Sequence, residues 1–351
     1  MASEGKNLVG VDIGTSSIKL CEVREDRRSA RTLARFGYHP LPSQTIVDGH
    51  IMNAGAIVEG LERLFFRVRR RDVALRVSGH SVIIKKITMP TMTDAELSEQ
   101  INWEAEQHIP FELTDVQVDY QVVSRREDQG QMDVLLVAAK KEEIADLINL
   151  ALEAKLRPKV VDLDAFTVQN CYEVAYGPPP RHETIVLLHV GASLTTLNIL
   201  ANGTTAFTRD VISGGNTITE EIQRQLGIGE VEAEAYKCGS APQATPAEVS
   251  QIVRDCVESL SGEVQRSLDF YLATSGDREI HRVLLSGGTS NVQALHEEIA
   301  DRCQVEVGSL DPLRVAKPDP NTVDPVALRG RTAQAVVAYG LALRKERERR
   351  A

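Results

Sequence analysis

Aromatic residues are scarce in this chain, at 4% of 351 residues with a single tryptophan, Trp103. A platform for single-stranded nucleic acid stacks bases on aromatics interleaved with basic residues, and no such stretch occurs. Positive charge is not in excess either: 40 lysines and arginines face 50 aspartates and glutamates, a formal net charge of −10. An acidic surface repels phosphate backbones, so no nucleic-acid partner is expected. Cysteine is limited to Cys21, Cys171, Cys238, Cys256 and Cys303, an odd number without C-x-x-C spacing. Neither a disulfide framework nor a structural zinc site is expected, and each thiol reads as a small buried hydrophobe in a reducing compartment. No run approaches the roughly 18–20 apolar residues of a membrane span, and the segment from Met1 to Lys6 lacks the apolar core of a signal peptide. A cytoplasmic protein is the expectation. Two nucleotide signatures are also missing, Gly-x4-Gly-Lys-Ser/Thr and Gly-x-Gly-x-x-Gly.

The remainder is ordinary globular material, 42% hydrophobic and 26% charged. Its length exceeds the roughly 250–300 residues at which a single core stops growing. Strand-like runs cover 7–13, 18–24 and 31–38, with the charged turn Glu25-Asp26-Arg27-Arg28, and a one-faced helix covers 54–68. Strands at 73–78 and 81–88 lead to Met89-Pro90. Thr93 and Glu96 form a capping-box signature opening a helix over 94–107. On that helix Trp103 is expected in the core. Strands at 116–124 and 132–139 and a helix at 141–154 complete a compact unit suited to insertion in a larger fold. Strand 159–163 and helix 165–175 precede Gly177-Pro178-Pro179-Pro180, a chain break. The opening pattern then returns: an apolar run at 184–190 ending in Gly191, then strands at 194–200 and 204–211 around an Asn202-Gly203 turn. This is an internal duplication. A long amphipathic helix spans 246–275, strand 281–286 meets Gly287-Gly288, a helix starts near 290, and another closes the chain over 331–347. The run Arg67, Arg69, Arg70, Arg71 reads as a solvated helix end.

Three turns carry chemistry. In Asp12-Ile13-Gly14-Thr15-Ser16-Ser17-Ile18-Lys19, an acid at a strand end is followed by glycine, hydroxyls and a lysine. Amides and hydroxyls in such a turn donate to phosphate oxygens, the ammonium offsets their charge, and a carboxylate can hold a metal-bound water. The segment His189-Val190-Gly191-Ala192-Ser193-Leu194-Thr195 echoes it. In Ser286-Gly287-Gly288-Thr289-Ser290, glycine lets a flat base or a phosphate approach the backbone.

Together the three resemble the sugar kinase/Hsp70/actin superfamily, with Asp12–Lys19 and Gly191–Thr195 as the phosphate loops and Ser286–Ser290 as the adenosine loop. Met89-Pro90, Glu104-Ala105, Ile109-Pro110-Phe111 and Asp119-Tyr120 narrow the resemblance to the type IV pilus assembly PilM family, relatives of the division protein FtsA. Ser213–Thr219 and Glu232–Lys237 match the same pair of families. The likeness covers about 7–343.

The resemblance implies an α/β, actin-like (ribonuclease H-like) duplicated fold with an FtsA-type inserted subdomain. Residues 1–80 and 155–180 would form subdomain 1A, 81–154 the inserted 1C, 181–215 and 281–330 subdomain 2A, and 216–280 subdomain 2B. Residues 331–351 would be a helix returning to 1A. ATP and Mg²⁺ are the implied cofactors. Gly14, Thr15, Ser16, Lys19, Gly191 and Thr195 would meet phosphates, with Gly214 and Gly215 beside them. Glu234 and Lys237 would sit near the ribose, and Gly287, Gly288 and Ser290 near the adenine. Asp12 would order the hydrated metal, and Asp164 would face the attacking water. One departure stands out: the superfamily has an aspartate two residues before the second loop's glycine, and here that position is His189. Neutral imidazole supplies no negative charge, so nucleotide binding is expected to outlast hydrolysis, which would be slow or absent.

The implied role is a docking module in twitching motility that binds the cytoplasmic N-terminal tail of PilN in a groove between 1A and 1C. It would link the inner-membrane platform to the cytosolic motor ATPases, recruited to the cytoplasmic face of that membrane, and self-association stays open. An active ATPase or sugar kinase of the same superfamily, or an FtsA-like membrane-associated protein, are the alternatives. The tail Arg344–Ala351 carries a net charge of about +3 but almost no apolar face, which argues against an FtsA-like anchor.

Overall fold

β-Branched residues and glycine alternate through the opening run, and Val9–Ile13 forms a strand, β1, buried along its length. The computed structural model describes residues 5–26 and 30–346. Arg27, Arg28 and the basic tail from Arg347 onward lie outside them.

β2 (Ser17–Glu25) and β3 (Arg31–Pro40) continue from β1 as an antiparallel meander. A small hairpin, β4 (Ile46–Val47) with β5 (His50–Ile51), leads to α1 (Ala54–Phe65), whose Ile57, Leu61 and Phe65 are buried at helical spacing. β6 (Asp72–Val77) then runs parallel to β1. The chain next builds a separate three-stranded sheet from β7 (Val82–Pro90), α2 (Asp94–His108), β8 (Val116–Arg126) and β9 (Gln131–Lys140), in the order β7-β9-β8. The capping box at Thr93 and Glu96 is present. Leu97, Ile101 and Ala105 of α2 cover this sheet. Trp103 falls between those i, i+4 positions and is 62% exposed, so the expectation of a core tryptophan is corrected.

α3 (Lys141–Glu153) returns to the first sheet, where Leu150 and Ala151 share a core with Ile57, Leu61 and Phe65 of α1. β10 (Arg157–Leu163) pairs parallel with β6, and α4 (Asp164–Tyr176) follows.

The second half repeats the plan. β11 (Ile185–Val190), β12 (Thr195–Ala201) and β13 (Thr204–Val211) form a second meander. Asn202 and Gly203 both adopt positive φ, the signature of a tight hairpin turn. α5 (Gly215–Leu226) and α6 (Glu230–Lys237) precede α7 (Ala247–Ser275), whose Val249, Ile252, Val257, Leu260, Val264 and Leu268 are buried. β14 (Arg282–Ser286), α8 (Gln293–Cys303) and β15 (Glu306–Ser309) complete a sheet ordered β13-β12-β11-β14-β15. The first sheet reads β10-β6-β1-β2-β3-β16, where β16 is Ala316–Pro318. Without β16 the two orders are the same, which establishes the duplication at the level of topology.

α9 (Pro325–Leu328) and α10 (Val336–Leu341) close the fold. All six residues of α10 are buried. The helix packs with α4 between the sheets, in a core that contains Leu8, Cys21 and Leu33 from one lobe and Ile185, Leu187 and Leu284 from the other. Two glycines permit that closeness. A Cβ on Gly10 would come within 2.0 Å of the Ala338 carbonyl oxygen, and one on Gly340 within 1.9 Å of that of Thr167. The expected helix over 331–347 is therefore shortened. Past Leu341 the backbone turns to the chain's beginning, where the Leu8 amide donates to the Arg344 carbonyl at 2.8 Å.

The cleft between the two sheets as candidate functional site

The first two strands of each meander are joined by the same tight turn. The Gly14 amide donates to the Ser17 carbonyl at 3.0 Å, and the Gly191 amide to that of Leu194 at 2.8 Å. The two tips meet across the cleft, with Thr15 Oγ1 2.6 Å from Ser193 Oγ. Antiparallel register places Lys19 opposite Asp12, and a Cβ on Gly14 would sit 2.9 Å from Lys19 Nζ. Glycine thus leaves the space that the ammonium occupies over the turn. Ser16 is exposed, whereas Thr195 is buried with its hydroxyl donating to the Ser213 carbonyl at 2.8 Å.

Behind the first turn lies a buried charge cluster. Asp12 Oδ2 is 3.2 Å from Lys19 Nζ, and Asp12 Oδ1 accepts from Arg76 Nε at 3.0 Å. The same guanidinium donates to Asp164 Oδ2 at 2.9 Å and to Ser78. Burial alone would raise the Asp12 pKa, but Lys19 and Arg76 together pull it down to about 2. Burial, with Asp12 and Asp210, pushes Asp164 up to about 7 against the pull of Arg76. Its Oδ1 is buried without a partner.

Across the cleft Asp210, on β13, accepts from the Gly79 amide at 2.8 Å, and its pKa is raised by burial. His189 shares a hydrogen bond with Ser286 Oγ at 3.0 Å. Burial and the neighbouring Arg76 and Lys19 depress the imidazole to about 4, against an opposing pull from Asp12, so it is neutral at physiological pH.

The third turn is knotted to the second. Gly287 has φ +90°, and a Cβ there would approach the Val190 carbonyl oxygen to 2.2 Å, so both conformation and space demand glycine. Thr289 Oγ1 donates to the Gly191 carbonyl at 2.8 Å. The Gly215 amide donates to the same carbonyl at 3.0 Å, and that of Asn216 to Ala192 at 2.7 Å. A side chain on Gly214 would strike those carbonyls. Lys237 Nζ donates to the Gly215 carbonyl at 3.1 Å and to Thr219 Oγ1 at 2.9 Å, and pairs with Glu234 at 2.5 Å. Burial would raise Glu234, yet Lys237 and Thr219 hold it below the usual carboxylate range. Ser290 Oγ is turned inward onto the Gly287 carbonyl at 2.7 Å, so it braces the loop.

Every sequence-predicted residue thus lies on this cleft or on the loops that shape it. Sequence reasoning missed Arg76 and Asp210, and it singled out Ser193, Thr219 and Thr289 only as members of their loops. The one available signal for Arg76 was a basic residue inside the apolar run of β6, and Asp210, beside Arg209 in a polar strand, gave none.

The donor set suits phosphate: two glycine turns whose Thr15 and Ser193 hydroxyls meet across the cleft, with the cations Lys19 and Arg76 at the first of them. It does not suit a directly ligated metal ion. Both Asp12 oxygens are engaged by cations, and among the described residues no group of three or more His, Cys, Asp or Glu side chains could hold one. In this structure Asp12 is the ion-pair partner that positions Lys19 and Arg76.

Comparison with known proteins agrees with this architecture. Residues 10–346 match the family model described as type IV pilus assembly protein PilM. A solved PilM-PilN type IV pilus biogenesis complex is similar at a TM-score of 0.84 with 26% identity, over 98% of this chain and 99% of that one. The ethanolamine utilization protein EutJ from Carboxydothermus hydrogenoformans superposes at 0.57 with 14% identity, over 96% of this chain and 89% of its own. MreB5 of Spiroplasma citri, solved with ADP, superposes at 0.55 with 12% identity, over 96% and 95%. The last two likenesses establish an actin-like fold.

Proposed function

The chain belongs to the family of type IV pilus assembly proteins PilM, and from that membership we propose that it is a nucleotide-binding docking module for the cytoplasmic N-terminal tail of PilN. One observation carries the reading. A groove of about 470 Å³ opens beside the cleft, between Val77 and Leu163 of the first lobe, Ile83, Pro110 and Phe111 of the inserted sheet, and Ile212 of the second lobe. Its wall contains the Pro110-Phe111 pair on which the family resemblance partly rests. β7, which contributes Ile83, is an edge strand of its sheet. An extended peptide can add to such an edge through main-chain hydrogen bonds while pockets beside it select side chains.

The groove and the charge cluster share Asp164 and Asp210 in their walls. A nucleotide in the cleft would therefore touch residues that also bound the peptide site. Its phosphates would take the hydroxyls of Thr15 and Ser193 away from each other and meet Lys19 and Arg76. Nucleotide would favour whichever arrangement of the lobes it binds better. Turnover is slow in this reading. His189 is neutral where a carboxylate would orient water, and the Asp164 carboxylate is tied to Arg76.

PilN, a membrane protein, would bring the chain to the cytoplasmic face of the inner membrane and couple the platform to cytosolic motors. This fits the finding that no helix among the described residues is long and apolar enough to cross a membrane. Calorimetric titration with a PilN N-terminal peptide, with and without ATP, tests the proposal. Saturable binding in at least one state is expected, and absence of binding in both refutes it.

A further inference from the structure

The segment leading into α10 carries an amide that nothing in the cleft has so far used. Gln334 lies in the turn Ala333–Ala335, and its Oε1 is buried without a hydrogen-bond partner. Buried acceptors in folded proteins are almost always satisfied, so an orphan calls for an explanation. The backbone around it is fixed on several sides. The Gly287 amide donates to the Ala333 carbonyl at 2.9 Å, Asn291 Nδ2 donates to the Gly330 carbonyl at 3.1 Å, and the Arg331 guanidinium stacks 4.5 Å from the centre of the Tyr38 ring. The amide is therefore held against Gly288: a Cβ there would lie 2.9 Å from Gln334 Nε2. On the other side of the same turn a Cβ on Gly215 would lie 2.5 Å from Thr289 Oγ1 and 3.1 Å from Lys237 Nζ.

The side-chain amide carries a carbonyl acceptor and an N–H donor side by side, and its carbonyl oxygen has no partner among the described residues. Those two groups on adjacent atoms are complementary to an adenine edge, where the exocyclic amine donates beside a ring nitrogen that accepts. Glycine at 288 removes the side chain that would separate the amide from a flat ring.

Resting on the nucleotide reading above, we propose that Gln334 is the base-reading residue of the cleft, pairing with the amine edge of a bound adenine nucleotide. It acts on the base alone. Lys19, Arg76 and the two glycine turns hold the phosphates whatever the base.

Displacement of a fluorescent nucleotide separates these contributions with three probes: ATP, the triphosphate of purine riboside, which lacks the 6-amine, and inorganic tripolyphosphate. The wild-type chain is expected to prefer ATP to the purine riboside triphosphate by at least about fivefold, the low end for a paired base contact. Gln334→Leu should abolish that preference and leave tripolyphosphate binding unchanged. Gln334→Glu, whose carboxylate still accepts from the amine, should retain it. Two results would overturn the proposal: a wild-type chain that binds both triphosphates equally, or a Gln334→Leu chain that keeps the preference. Failure of all three probes to bind would instead sink the nucleotide reading itself, and this inference with it.

Discussion

Replacing Arg76 by methionine tests the charge cluster most directly, because the stem volume is kept and only the guanidinium is lost. Arg76 joins Asp12 and Asp164, both buried. The two carboxylates are not equally exposed to its removal. Asp12 keeps Lys19 at 3.2 Å. Asp164 is paired with Arg76 and with no other cation among the described residues: its pKa is already up at about 7 with Arg76 present, and it would rise further without it. Breaking a buried ion pair by deleting one partner costs about 3–5 kcal/mol, which for a chain of this size is a fall in melting temperature of roughly 4–7 °C.

The pH dependence supplies the second signature. In the unfolded chain Asp164 loses its proton near pH 3.8. In the folded wild type the proton is held to about pH 7, so this group's contribution to stability falls between those two values and is flat above the upper one. In Arg76→Met the folded pKa lies higher, and the decline continues into the alkaline range. The deficit of the variant should therefore widen above pH 7, by up to about 1.4 kcal/mol per pH unit until its own pKa is passed. Denaturant unfolding at pH 6.5 and 8.5 measures both quantities. Adding Asp164→Asn to the variant removes the orphaned acid, so it should recover a large part of the loss and remove the widening. A deficit under about 1 kcal/mol at both pH values, or one that narrows at pH 8.5, would refute the assignment of Arg76 as the shared partner.

Gly287→Ala should cost at least about 3 kcal/mol, read by chemical denaturation, because the new methyl meets the Val190 carbonyl at 2.2 Å in a backbone conformation that disfavours side chains. Phe111→Ala should weaken PilN-peptide binding about tenfold or more in calorimetry while the exposed Trp103→Ala changes it little, since Phe111 lines the groove and Trp103 is not among its lining residues. Chelating divalent ions with EDTA should change ATP affinity by less than about tenfold, because Lys19 and Arg76 supply positive charge at the phosphate turns; strict dependence on magnesium would show that these two cations do not suffice.

The parts of the site legible in the sequence are those whose geometry is local. In a two-strand hairpin of fixed turn length, Asp12 must face Lys19, and the echo at 189–195 follows from the same pattern. Arg76 is different in kind. Its partners lie 64 and 88 residues away, and only the parallel pairing of β6 with β1 and β10 brings the three together. A lone arginine in Asp72-Val-Ala-Leu-Arg-Val77 looks locally like a strand-edge residue.

Two helices depart from expectation, α5 in being unforeseen and α10 in its extent. α5 buries Gly215, Ile218, Thr219 and Ile222 at helical spacing, but only the two isoleucines of that set are large and apolar, and its start is set by the carbonyls of Gly191 and Ala192. α10 fails in the opposite sense. It is buried all round, so no polar face marks its end, and it stops where the backbone bonds to residues at the other terminus.

These failures share a cause: each depends on segments far apart in the sequence. A duplicated fold encodes each half locally and encodes their relation in single residues, here Asp210, which takes the Gly79 amide and faces Arg76, and Gly10 and Gly340, whose meaning appears only when the halves meet. A cleft that responds to a ligand needs its control at that junction. The charges least visible in the sequence are for that reason the ones whose substitution should couple nucleotide to peptide most strongly.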